Sequence, residues 1–124
     1  MTLEEIVLDK ILIVDDDKSL CHFLNRALSR AGYVVEECYD AETALARIKT
    51  ESYNLVLLDN RMPPGPSGLE IFRRMREADL KLPVIIMTAF GTTETAIEAM
   101  KLGAYDYITK PFDLNDILEL AKKS

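Results

Sequence analysis

Three short stretches of the chain are continuously apolar: residues 11–14 (ILIV), 55–58 (LVLL) and 84–87 (VIIM). None alternates, and none is long enough for a helix. Each therefore reads as a strand buried on both faces, as in the interior of a parallel sheet. Residues 33–39 (YVVEECY) and 104–108 (AYDYI) are β-prone but interrupted by acids. They suit sheet edges, where charge blunts unwanted pairing. Between these runs the period changes. Leu20, Phe23, Leu24, Ala27 and Leu28 recur at i, i+3, i+4, i+7 and i+8, one face of a helix. Asp17 is a fitting N-cap for it and Gly32 follows its end. Asp40 can cap a second helix running through Lys49. Ser67 and Glu70 form an S-x-x-E capping box for a third, residues 69–78. Thr92 can start a fourth through Leu102, ended by Gly103. Asp113 can start a fifth, through about Ala121.

Five strand–helix units in alternation predict a doubly wound α/β fold with right-handed crossovers. The all-apolar first, third and fourth strands must occupy the middle of the sheet, leaving the second and fifth for the edges. That gives a five-stranded parallel sheet of order 2-1-3-4-5, the flavodoxin-like arrangement, with five helices. In such sheets the functional site lies beyond the C-terminal ends of the strands, at the switch point between strands one and three. Strand one runs into Asp15, Asp16 and Asp17, and strand three into Asp59. Strand four ends in Thr88, and strand five is followed by Lys110-Pro111. Acids, a hydroxyl and an amine therefore converge on one rim.

Composition narrows the class. A chain of 124 residues, 48% hydrophobic and 29% charged, suits one globular domain that needs no disulfide or metal staple. Its net charge of −6 argues against direct nucleic-acid binding by this segment, because a phosphate-tracking surface is basic. Two cysteines do not make a secreted disulfide scaffold. The apolar runs are far short of the roughly 20 residues that span a bilayer, and the N-terminus lacks a secretory h-region. The expectation is a cytoplasmic domain without membrane association. Residues 60–67 (NRMPPGPS) form the one irregular stretch.

Two carboxylates about 4 Å apart repel by roughly 4 kcal/mol at an effective dielectric of 20. Three Asp directly after a buried strand are harder to explain by helix capping alone than by a divalent cation that lets them stay ionised. An all-oxygen set with room for water and phosphate favours Mg²⁺. Asp17 is accounted for by capping. Asp59 is open to two readings, a turn carboxylate or a nucleophile that accepts a phosphoryl group. Thr88 is either an ordinary strand residue or a donor to a phosphoryl oxygen. Lys110 is either a solvated lysine or the positive charge that a phosphoryl group requires.

Together, Ile-Val-Asp15-Asp16-Asp17, Leu-Leu-Asp59-x-Arg61-Met62-Pro63, Thr88-Ala89 and Lys110-Pro111-Phe112 resemble the motif set of the bacterial response-regulator receiver domain. The resemblance covers about residues 10–120. It implies that Asp59 is the phospho-accepting aspartate, Asp16 a direct Mg²⁺ ligand, and Asp15 an acid acting through bound water. Arg61 would lend the metal its backbone carbonyl, with Mn²⁺ able to substitute. Thr88 would be the switch hydroxyl, Lys110 the phosphate-pairing lysine and Tyr107 the aromatic switch residue. Lys110-Pro111 would be cis. Residues 88–91 and 103–113 are most similar to receivers of the nitrogen-regulation type, which precede an AAA+ ATPase and a DNA-binding domain. The resemblance thus implies a single receiver domain over 1–124, core about 10–121, either excised from a longer regulator, the favoured reading, or a stand-alone protein. Its partners would be a sensor histidine kinase and an output domain, with homodimer formation on phosphorylation. The receiver would catalyse only its own phosphotransfer and dephosphorylation. The output face would be helix four, strand five and helix five, including Thr95, Glu98, Lys101, Tyr105 and Tyr107. His22 reads as a surface histidine on the helix that in this family lies near the kinase.

One departure stands out. The run Met62-Pro63-Pro64-Gly65-Pro66-Ser67-Gly68 is one residue longer than the family's and carries an added proline. Two rival readings remain at this stage. Asp15-Asp16-Asp17-Lys18-Ser19 loosely resembles the D-x-D-x-T/S element of haloacid-dehalogenase phosphohydrolases, with Asp15 as nucleophile, but residues 88–93 lack the acids that enzyme needs. A receiver-like binding module that never takes phosphate is the other; the complete set of acids, Thr88 and Lys110 speaks against it.

Overall fold

The computed structural model describes residues 9–63, 65–78, 80–89 and 93–123. Strands and helices alternate throughout: β1 Lys10–Val14, α1 Lys18–Arg30, β2 Val34–Cys38, α2 Ala41–Thr50, β3 Leu55–Asp59, α3 Gly68–Glu77, β4 Val84–Thr88, α4 Thr93–Lys101, β5 Asp106–Thr109 and α5 Leu114–Lys123. The sheet is parallel, in the order β2-β1-β3-β4-β5. The expected order is borne out, and for the expected reason. β3 and β4 are buried along their whole length, and β1 from Ile11 onward. β2 and β5, carrying the acids, lie at the edges and are only partly buried.

The strands' alternate side chains feed two cores. Leu12, Val14, Val56, Leu58 and Ile86 pack with Ala44, Ile48, Ile71, Phe72, Met75 and Ala99 from α2, α3 and α4. Ile11, Ile13, Leu57, Ile85 and Met87 pack with Leu24, Leu28, Ile117 and Ala121 from α1 and α5. Cys38 belongs to the first core and Cys21 to the second, so the sheet separates these two free thiols.

Local signals act as expected at the helix starts. Asp17 accepts a hydrogen bond from the Leu20 N–H at 3.1 Å, Asp40 from Thr43 at 2.7 Å, and the Ser67 hydroxyl from Glu70 at 3.1 Å. Each such cap contributes about 1 kcal/mol. The Ser67–Glu70 pair is a one-way cap, because the Glu70 carboxylate pairs instead with Arg73 and Arg74 of its own helix. The fourth-helix cap assigned to Thr92, and the side chain of Thr95, lie outside the described residues.

Two further expectations need correction. Phe23 is not on the buried face of α1: it is 54% exposed, and Cys21 takes its place beside Leu24 and Leu28. A period of 3.6 admits both faces, and the small thiol fits against the β1 turn where a phenyl ring would not. β5 spans Asp106–Thr109, two residues later than residues 104–108. Ala104 and Tyr105 instead close the turn after α4, their N–H groups bonded to Ala99 and Val84 carbonyls. Arg76 secures that turn from α3. Its guanidinium donates to the carbonyls of Leu102 and Gly103 at 3.1 and 3.0 Å, and lies over the Phe72 ring.

Candidate functional site

The ends of β1, β3 and β5 bring three charged side chains into contact. Lys110 Nζ lies 2.6 Å from Asp15 Oδ2 and 3.0 Å from Asp59 Oδ1. Asp15 and Asp59 are almost fully buried, and with Thr88 they are the buried polar residues among those described. Asp16, next to Asp15, points into solvent. Ligand oxygens of Asp15, Asp16 and Asp59 lie within 4.8 Å of one another. Three carboxylates and one ammonium leave the rim two negative charges in excess. Hard oxygen donors, with one ligand facing water, fit a hydrated Mg²⁺ ion.

The backbone keeps these groups in place. Asp15 Oδ1 accepts the N–H of Asp17 at 3.0 Å, so both oxygens of Asp15 already have partners. The Arg61 N–H bonds to the Asp59 carboxylate. Lys110 donates its N–H to the Thr88 carbonyl at 2.7 Å, joining the ends of β4 and β5. The Lys110–Pro111 peptide is cis, as the resemblance implied. Gly68 opens α3 directly beneath Asp59. A Cβ there would stand 2.1 Å from the Asp59 carbonyl oxygen, so no other residue fits without moving the strand end.

Burial pushes the Asp59 carboxyl above the usual carboxylate range, and the charge of Asp15 pushes it further; Lys110 and the Arg61 N–H offset part of this. Burial alone would lower the Lys110 ammonium, but its hydrogen bonds to Asp15 and Asp59 outweigh that and leave it raised. The Cys21 thiol donates to the Asp15 carbonyl at 3.3 Å. Burial, then the nearby acids, push it up to about 12.

Residues 11–122 match the response regulator receiver domain. The chain is 40% identical over 109 residues to the transcriptional regulatory protein DltR of Streptococcus agalactiae, covering 88% of this chain and 48% of that protein. It is 39% identical over 115 residues to sporulation initiation phosphotransferase F of Bacillus subtilis, covering 93% and 92%. This chain belongs to the response regulator receiver family. Among solved structures, a receiver domain from Methanospirillum hungatei superposes with a TM-score of 0.88 at 32% identity, over 94% of this chain and 93% of that one. The NtrX receiver domain of Brucella abortus gives 0.84 at 32% identity, over 91% and 95%. The likeness to NtrX agrees with the nitrogen-regulation type expected from the sequence. The chain spans about half the length of DltR.

Asp15, Asp16, Asp59, Thr88 and Lys110 stand on this rim, with Arg61 in the loop after Asp59. Tyr107 lies apart on the β5 edge, 40% exposed rather than packed away. Glu98, Lys101 and Tyr105 are exposed, with Glu98 also 3.5 Å from Arg73. The sequence reading missed Ile97 and Met100, large apolar side chains exposed on the same face. It also missed Asn60, whose side chain ties α3 to the end of β3. His22 is exposed as expected, but its Nδ1 lies 2.7 Å from Glu37 on β2.

Proposed function

We propose that this receiver accepts a phosphoryl group on Asp59 from the phosphohistidine of a sensor histidine kinase, and that the modified form switches an output domain. The observation that carries the reading is the buried Asp59 carboxylate held 3.0 Å from Lys110 at the mouth of an acidic cluster. Burial strips water from the attacking oxygen, and the Arg61 N–H and Lys110 fix its direction. An Asp59 oxygen attacks phosphorus; the P–O bond forms as the P–N bond breaks, and the electron pair returns to the imidazole. Lys110 shifts its interaction toward the incoming phosphoryl oxygens, since Asp15 already holds it on the other side. Positioning and charge supply most of such catalysis. Asp16 and Asp59, with the Arg61 carbonyl and water held by Asp15, would hold Mg²⁺ or Mn²⁺. The ion supplies charge neutralisation at the phosphoryl oxygens. The acyl phosphate is later lost to water by the receiver's own activity.

The Thr88 hydroxyl, at the end of β4, then turns toward the phosphoryl group, and Tyr107 follows it inward. This biases a pre-existing equilibrium of the α4-β5-α5 surface. Exposed Ile97, Met100, Tyr105 and Tyr107 support a partner-binding role for that face. In the full-length regulator, of which residues 1–124 would be the receiver, the output is transcriptional, through an AAA+ ATPase and a DNA-binding domain. The phosphorylated receiver forms a homodimer. Among the described residues no helix is long and apolar enough to cross a membrane. The reading puts the chain in the cytoplasm, where the kinase presents its phosphohistidine.

The test is incubation with acetyl phosphate and Mg²⁺, followed by intact mass and size-exclusion chromatography. One added phosphoryl group and a shift toward dimer are expected. Asp59→Asn should take up none; stoichiometric labelling of that variant would move the acceptor elsewhere.

A further inference from the structure

The loop between β3 and α3 is closed at both ends by one residue. Asn60 continues the sheet, its N–H donating to the Met87 carbonyl at 2.8 Å. Its own carbonyl accepts the Gly68 N–H at 2.9 Å, and its side-chain Oδ1 accepts the Leu69 N–H at 3.2 Å. Ser67 accepts the Glu70 N–H. The first four N–H groups of a helix have no partner within it. Here three of them are satisfied, two by Asn60. The first turn of α3 is thereby docked onto the residue that follows Asp59, with Gly68 against the Asp59 carbonyl.

We propose that Asn60 is a positioning residue for the Asp59 site: its side-chain bond to Leu69 clamps α3 to β3 and so fixes Asp59 and Arg61 for Mg²⁺. The proposal rests on the Mg²⁺ role given to these residues above. Asp59 and Arg61 are the two neighbours of Asn60 in the chain, and the Arg61 N–H is bonded to the Asp59 carboxylate. A rotation of the backbone at residue 60 would move both groups at once. The clamp prevents it from three sides: β4, the start of α3, and the side chain itself. It also explains how a loop one residue longer than the family's leaves the site intact. Residues 60 and 68 are joined directly, so the two ends of the loop between them are fixed whatever its length.

The test is Mg²⁺ titration followed by amide NMR on the wild-type chain, Asn60→Leu and Asn60→Ala. The Leu69 amide is read in the same samples, and in Asn60→Asp. Leu keeps the branching of Asn, though larger, without its acceptor; Ala removes the acceptor without adding bulk; and Asp keeps an acceptor oxygen. Both apolar variants should bind Mg²⁺ roughly tenfold more weakly, the scale on which supporting contacts act on metal sites. The Leu69 amide should be protected from exchange in the wild type and in Asn60→Asp, and unprotected in the other two. Folded Asn60→Leu or Asn60→Ala binding Mg²⁺ as tightly as the wild type would leave Asn60 a helix cap and overturn the proposal. A wild-type chain that binds no Mg²⁺ would overturn the metal reading of the site as well, so the two failures are told apart.

Discussion

The sheet carries a lysine between two carboxylates at each of two places, and the two behave in opposite ways. On the β2 side, Lys10 lies 2.9 Å from Glu36 and 3.3 Å from Glu51, with the Tyr53 hydroxyl against both acids. At the C-terminal rim, Lys110 lies 2.6 Å from Asp15 and 3.0 Å from Asp59. The distances are nearly alike. The burial is not: Glu36 and Glu51 side chains are 31% and 42% exposed, Asp15 and Asp59 only 1% and 6%. Hydrogen bonds from Lys10 and then Tyr53 therefore hold the Glu36 carboxyl below its usual range. Burial holds Asp59 above it despite Lys110. At the exposed site the lysine's bonds to Glu36 outweigh the cost of burial; at the rim they do not outweigh it for Asp59, and the remaining deficit is one that a further cation could offset.

The largest effect should come from removing each lysine. Lys110→Ala leaves two buried carboxylates without their ammonium and should cost about 3 kcal/mol in metal-free urea unfolding, as broken buried pairs do. Lys10→Ala should cost much less, because solvent screens its partners. Equal losses would erase the distinction between the two sites. Lys110→Ala should also weaken switching more than it weakens metal binding; equal loss of both would count against its assigned role.

A smaller effect, but one of opposite sign at the two sites, should appear with pH. The folded Asp59 carboxyl is raised. Its favourable contribution is complete below the unfolded carboxylate range and lost as pH rises through the folded value. Asp59→Asn should therefore stabilise the metal-free chain at pH 7 by roughly 1 kcal/mol, the part of the burial cost, with the Asp15 repulsion added, that Lys110 does not offset. The gain should shrink on acidification. Glu36 is depressed, so its contribution is present above the unfolded range and lost as pH falls. Glu36→Gln should destabilise at pH 7 and become neutral in acid. Urea unfolding of both variants across pH 3–8 reads the two slopes (about the range over which carboxylates titrate); slopes of the same sign would contradict the burial argument.

How much of this was legible in the sequence depended on how far each feature reaches. Continuous apolar runs fixed which strands lie inside, and Asp15, Asp59, Thr88 and Lys110 could be placed because each ends or follows a strand. Asp17, Asp40 and Ser67 act within three residues and were equally readable. Phe23 was misplaced because α1 offers two overlapping apolar stripes, and only packing against the β1 turn selects Cys21. The Lys10–Glu36–Glu51 cluster joins β1, β2 and the end of α2, and nothing local marks it. The same holds for Asn60 and Arg76, whose roles are hydrogen bonds to backbone groups of another element. Site chemistry sits at element ends, where sequence speaks clearly; the contacts that hold the elements together do not.

The most direct test of the central claim is thermal melting of the wild-type chain and Asp59→Asn, each with and without Mg²⁺. Binding to the folded form alone raises stability in proportion to the logarithm of ligand excess. The wild type should melt lower than the variant without the ion and gain from its addition, while Asp59→Asn should start higher and gain little. Equal Mg²⁺ gains in both, or a wild type indifferent to the ion, would show that Asp59 does not make this rim a cation site.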